Sequence, residues 1–209
     1  MKTTLIVNPK GGCGKSTVAT NLASYYALWE VPVALVDYDP QQSSVEWLAQ
    51  RDAGLHRIHG VDASHGHARL PAEVRRVVLD APARIDKTQL KRLFAFADCV
   101  VVPVLPSPLD IRAAGHFIGE LMLDGLLKAA PVALVANRVR KNTVIYRNLT
   151  RFLDKLDIPL LAHLRDSQNY IRAAEAGHGI FEMPPYIADD DVEQWRGLIE
   201  WVEGGRRGR

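Results

Sequence analysis

Along the chain, short and nearly continuous apolar runs alternate with longer stretches in which apolar positions recur at helical spacing. The runs are Thr3–Val7, Val33–Asp37, Val77–Asp80, Cys99–Val104, Pro131–Ala136 and a weaker one at Leu160–Leu164. They are rich in Val, Leu and Ile and lack strict in–out alternation, as strands buried on both faces of a parallel sheet do. Helices are predicted between them, over Ser16–Trp29, Ser43–Gln50, Thr88–Ala97, Ile111–Lys128, Thr143–Leu156, Gln168–Ala176 and Val192–Val202. This order predicts a single α/β domain, a mostly parallel twisted sheet with helices on both faces. Between Arg51 and Arg76 the pattern weakens, and an irregular loop with one short strand in Leu55–Val61 is expected. Ligands of such sheets sit outside the carboxyl ends of the strands, so the residues that follow each run are where chemistry is sought.

The first run leads into Lys10-Gly11-Gly12-Cys13-Gly14-Lys15-Ser16-Thr17 and then into a helical pattern. Three glycines without a Cβ let a backbone turn tightly and bring its N–H groups against an anion. The helix that follows adds unpaired N–H groups and the positive end of its dipole. Lys15 supplies a cation for the β- and γ-phosphates, and the Ser16 hydroxyl suits Mg²⁺. The general phosphate-loop pattern is not matched literally, because Pro9 stands where its first glycine would be.

Acids close two further runs. Asp37 and Asp39 leave the second run and enter a turn marked by Pro40. Asp39 is a candidate for holding Mg²⁺ or orienting the attacking water, with Asp37 assisting; the bland reading is a turn with two solvated acids. Val77-Val78-Leu79-Asp80 has the form of a strand that ends in a metal-side carboxylate. Asp110, after three prolines, is read as capping the helix that starts at Ile111.

Composition narrows the classes. A chain of 209 residues with 47% hydrophobic and 24% charged residues suits one domain. A net charge of +2 does not mark a nucleic-acid binder, so such an activity would have to come from a local patch. Cys13 and Cys99 form no Cys-x-x-Cys pair, which leaves reduced thiols and no zinc or redox motif. His56, His59, His65 and His67 cluster without an acid or cysteine at ligand spacing and read as polar surface. No apolar run reaches the roughly 18 residues that span a bilayer, and no leader precedes the first strand, so a cytoplasmic location is expected. Residues 1–203 are read as the domain and 204–209, rich in Gly and Arg, as a flexible tail.

KGGCGKST resembles the deviant Walker A motif of the ParA/MinD ATPases, in which the extra lysine, matching Lys10, is the signature. The resemblance implies a P-loop fold, ATP and Mg²⁺ as ligands, and an ATP-sandwich homodimer in which Lys10 reaches the other subunit's nucleotide. Asp37-Tyr38-Asp39-Pro40-Gln41 is similar to the family's switch I, where the residue matching Asp39 is needed for hydrolysis. Asp80-Ala81-Pro82 is similar to its switch II, and PSPLD is close to wording in small partition ATPases of the group. The implied site is then Lys10, Lys15 and Asp39 for catalysis and Ser16, Asp39 and Asp80 for the metal. ATP would be held by Lys10, Gly11, Gly12, Cys13, Gly14, Lys15, Ser16 and Thr17, with Asn137 hydrogen-bonded to adenine and Arg138 stacking.

Basic residues at Arg138, Arg140, Lys141, Arg147 and Arg151 read by default as a solvated face. The stretch from Leu164 to Ala176 resembles the ParA C-terminal region, which implies sequence-indifferent DNA contacts by Arg172 and Arg165. Implied partners are non-specific DNA of the nucleoid and a ParB-like or cargo-adaptor protein that stimulates hydrolysis. The cargo would be a plasmid or a protein body such as a carboxysome. The acidic stretch around Val192–Val202 is a poor match to an anionic bilayer, so no membrane partner is expected. The alternatives are a MinD-like membrane-associated ATPase and a metabolic ATP-dependent enzyme on the same scaffold.

Overall fold

A computed structural model describes residues 1–66, 69–140, 143–153 and 155–204. Seven strands form one sheet: β1 (Lys2–Ile6), β2 (Val33–Asp37), β3 (Ile58–Asp62), β4 (Arg76–Asp80), β5 (Cys99–Val104), β6 (Val132–Val139) and β7 (Leu160–Arg165). Their spatial order is β3-β2-β4-β1-β5-β6-β7, and every recorded pair is parallel. The chain thus starts at the centre with β1, runs out to the β3 edge, returns to β4, and crosses to the other half. The loops after β1, β2 and β4 therefore face one another at one end of the sheet.

Nine helices cover the sheet among the described residues. They are α1 (Lys15–Leu28), α2 (Ser43–Ala49), α3 (Lys87–Phe96), α4 (Pro108–Leu123), α5 (Leu126–Ala129), α6 (Val144–Leu153), α7 (Gln168–Glu175), α8 (Pro185–Glu193) and α9 (Arg196–Gly204). A 3-10 turn at Ile180–Glu182 precedes α8. Successive residues of the central strands point to opposite faces. Leu5 and Val7 join a core with Phe94, Phe117 and Leu149, while Ile6 joins a second core with Leu22, Trp47 and Trp195. The result is three layers, with two apolar interiors separated by the sheet.

The short strand expected in Leu55–Val61 is β3, the edge strand, in which only Ile58 is buried and His59 to Asp62 are half-buried or exposed. Three readings are corrected. The helix expected over Ile111–Lys128 begins at Pro108, and its cap is Ser107, whose hydroxyl accepts from the Asp110 N–H at 3.1 Å. Asp110 instead pairs through its carboxylate with that same hydroxyl. The helix then breaks into α4 and α5 at Gly125, where φ is +73°, a conformation glycine adopts without a Cβ penalty. The helix expected over Val192–Val202 is the end of α8 followed by α9. Gly204 closes α9, and the remaining tail, residues 205–209, lies outside the described residues, as do His67 and Lys141.

No helix among the described residues is long and apolar enough to cross a membrane. Leu198 and Val202 of α9 and Trp195 before it are buried in the second core. Glu203 anchors the helix end by accepting from the Tyr26 hydroxyl at 2.8 Å and from Arg76 at 2.8 and 3.0 Å.

Candidate nucleotide site

The loop after β1 is braced from both sides. Asn8 donates to the Pro103 carbonyl at 2.8 Å and accepts from the Lys10 N–H at 2.9 Å, which pins the loop's start to the end of β5. Asn137, at the end of β6, donates to the Cys13 carbonyl at 2.9 Å and pins its far side. Gly14 sits at φ +93°, and a Cβ there would lie 2.0 Å from the Asn137 amide nitrogen, so only glycine fits. α1 then opens with no side-chain cap and no acid in its first turn. Its first N–H groups are left for an anion, with the dipole favouring negative charge.

The two lysines are placed differently. Lys15 is buried, and its ammonium donates to the Lys10 carbonyl at 3.4 Å across the loop. The Lys10 side chain stands exposed on the rim. Cys13 is buried with its thiol donating to the Lys10 carbonyl at 3.2 Å, and burial pushes its pKa up, away from the reactive thiolate.

Asp37 and Asp80 lie side by side in the register of β2 and β4, next to Ile6 at the end of β1. Asp37 is fully buried, but its oxygens accept from the Asp39, Ser44 and Val45 N–H groups. It is a brace for the turn into α2, and it does not reach solvent. Burial raises its pKa, opposed by those N–H groups. Asp80 accepts from the Ser44 hydroxyl at 2.7 Å through Oδ2, while its Oδ1 is buried without a hydrogen bond. Burial pushes Asp80 up to about 6, against the hydroxyls of Ser44 and Ser16 and the charge of Lys15. An orphaned carboxylate oxygen next to Ser16 and Lys15, beneath a backbone anion cradle, fits a phosphate-bound divalent cation.

Asp39 is half-buried and links the two acidic loops. It accepts from Gln41 N–H at 3.0 Å and more weakly from Ala83 N–H at 3.4 Å, after Asp80-Ala81-Pro82. A cleft of about 320 Å³ opens here between Asp39, Pro40, Gln41, Pro82, Ala83 and Arg84.

A second cleft of about 350 Å³ lies beside Thr17 and is lined by Asn137, Arg138, Ser167, Tyr170 and Ile171, among others. It has the size and mixed lining of a nucleobase site. Arg138 holds φ +51°, a position uncommon outside glycine, and is exposed at the cleft. The sequence reading missed Ser167 and Tyr170, which carry no motif. It also missed Asn8, although the Asn-Pro turn was a usable signal, and Ser44, whose partner is 36 residues away.

The predicted DNA arginines part company. Arg172 is exposed on α7. Arg165 is tied into the protein: its guanidinium pairs with buried Asp191 at 2.5 and 3.1 Å and with Asp190 at 3.2 Å. Arg165 thus already has carboxylate partners within the protein, while its side chain remains 37% exposed. The histidine segment forms no group of three or more metal-ligating side chains among the described residues; His59 pairs with Glu73 at 3.5 Å.

A parallel sheet whose central strand feeds a braced glycine loop, with carboxylates at the tips of neighbouring strands, defines a phosphate-loop nucleotide-binding protein. A family model, the CobQ/CobB/MinD/ParA nucleotide binding domain, matches residues 4–180, and the chain belongs to that family. It is 31% identical over 212 residues to a maintenance of carboxysome distribution protein A of Gloeobacter kilaueensis, covering 95% of this chain and 92% of that one. A protein of the same description from Halothiobacillus neapolitanus is 29% identical over 191 residues, 87% of each chain. Among solved structures, the ATP complex of a Cyanothece McdA variant superposes with a TM-score of 0.76 at 15% identity, covering 100% of this chain and 98% of that one.

Proposed function

We propose that this protein is a Mg²⁺-dependent ATPase that dimerises around ATP, binds DNA without sequence preference and distributes a cargo, for which a carboxysome is the best-supported candidate. The observation that carries the reading is the division of labour between the two loop lysines. Lys15 is buried inside its own loop, whereas Lys10 projects from the rim, where a second protomer's nucleotide could meet it. A cation that arrives only with a partner ties neutralisation of the transferring phosphoryl group to assembly.

The residues of this chain divide the work as follows. The loop N–H groups from Gly11 to Thr17 cradle the phosphates. Ser16 and Asp80 would hold Mg²⁺, which supplies charge neutralisation on the β- and γ-phosphates. Asp39, half-buried beside the second acidic loop, orients the attacking water. Asn137 has one amide hydrogen committed to Cys13 and keeps the other for adenine. Arg138 covers the base. The assignment of cargo is supported by the relatives described as carboxysome distribution proteins, which match nearly the whole chain. Burial of the apolar face of α9 in the core supports DNA over a membrane as the surface bound.

The test is binding to unrelated DNA sequences with ATP, ADP or no nucleotide at two salt concentrations, alongside size measurement in each state. ATP-dependent dimerisation with salt-sensitive, sequence-indifferent binding is expected. A monomer in ATP that ignores DNA would overturn the proposal, and liposome or metabolite stimulation would then be examined.

A further inference from the structure

We infer that Ser44 is a positioning residue that sets the metal-side carboxylate, and that it couples the Asp39 loop to the cation site. The inference rests on the nucleotide-site reading above and deepens it. Ser44 is fully buried at the start of α2 and is held at two points. Its N–H donates to Asp37 Oδ2 at 2.9 Å, and its hydroxyl donates to Asp80 Oδ2 at 2.7 Å. Asp37 and Asp80 end adjacent strands in direct register, so the serine bridges two strand tips.

Oδ2 of Asp80 is engaged by Ser44, and Oδ1, buried without a hydrogen bond, is the oxygen left wholly uncommitted for a ligand. A hydroxyl that donates to the carboxylate also determines the rotamer in which Oδ1 is presented. The same serine belongs to the segment that follows Asp39-Pro40-Gln41-Gln42, where the Gln42 N–H donates to the Asp39 carbonyl at 2.9 Å. Asp39 in turn accepts from Ala83 N–H, beyond Asp80. The two acidic loops are therefore closed into one ring by Asp39–Ala83 on the solvent side and Ser44–Asp80 on the core side. A displacement of either loop is felt by the other.

Outer hydrogen-bond partners of this type change metal affinity by about 10- to 100-fold when removed. The experiment uses Mn²⁺ as the probe. Electron paramagnetic resonance reads free Mn²⁺ in titrations of the full chain with ATP, for the unaltered protein, Ser44→Ala and Ser44→Cys. Cysteine fills the site with a slightly larger and weaker donor, so it stands in if the alanine variant does not fold. Both variants are expected to bind Mn²⁺ at least tenfold more weakly in the presence of ATP. Their affinity for ATP with chelator present should be unchanged, because Ser44 does not touch the phosphate cradle. A folded variant with the Mn²⁺ affinity of the unaltered protein overturns the inference and leaves the ATPase reading standing. Failure of the unaltered protein to bind Mn²⁺ with ATP overturns both.

Discussion

At the scale of single residues, two positions make the site brittle in different ways. Gly14 combines a left-handed backbone with contact to the Asn137 amide. Gly14→Ala must either displace Asn137, freeing the Cys13 carbonyl, or reset the turn; either costs about 1–3 kcal/mol in the loop. Nucleotide affinity measured by calorimetry is expected to fall at least tenfold, with the rest of the fold retained. Asp80 is costly for another reason. Its pKa rises from an ordinary value of 3.8 to about 6 because burial penalises the charged form. A carboxyl whose folded pKa exceeds its unfolded one stabilises the ligand-free fold fully below about pH 4. That contribution is lost as pH rises through about 6. The penalty above pH 6 is on the order of 3 kcal/mol at most. Asp80→Asn keeps an acceptor for Ser44 and removes the charge. It is expected to melt higher than the unaltered protein at pH 8, by the equivalent of about 1–3 kcal/mol, with the gap closing towards pH 4. Thermal melts without nucleotide across that range check it, and a gap that is independent of pH would contradict the assignment.

At the scale of elements, the end of β7 and the start of α7 are bound to the last turn of α8 by one buried acid. Asp191 accepts from Arg165, from Asn169 Nδ2 at 2.7 Å and from Ser167 Oγ at 3.2 Å. Arg165→Ala leaves that charge short of its cation. Because the arginine end is partly open to water, the cost is set below that of a fully buried pair, at about 2–4 kcal/mol. Chemical denaturation should show it, and adding Asp191→Leu should recover much of the loss if the pair is structural. This pair also shows what a sequence leaves out. The strands and α1 were legible because parallel strands buried on two faces are written as apolar runs, and a glycine loop must follow its strand. The ion pairing of Arg165 was not legible because a surface cation and a cation paired with a buried acid 26 residues away look alike in sequence. The α4–α5 break falls at Asp124-Gly125, a glycine stop with a left-handed backbone and open space around it, which the continuing helical pattern masked. Within the site, loop and acids announced themselves by position after strands, whereas Ser44 and Tyr170 act through contacts that only the fold creates.

At the scale of the whole molecule, the proposed DNA binding would have to come from placement, because a net charge of +2 on 209 residues gives little general attraction. Arg172 is exposed on α7 and has no place in the lining of the cleft beside Thr17, although its neighbour Ile171 does. Charge reversal there separates the two activities. Arg172→Glu should bind ATP as the unaltered protein does, since no cleft contact is removed. Each phosphate contact contributes about 0.9 to the slope of log affinity against log salt, so a dimer losing one contact per protomer should show a slope lower by about 2. Affinity should fall for every DNA sequence alike, because contacts to the backbone position a protein without reading bases. Fluorescence anisotropy at a series of salt concentrations, with ATP present, measures both quantities. An unchanged slope would move the patch to the other exposed basic face, Arg147 and Arg151 on α6, where the same substitution would be made next.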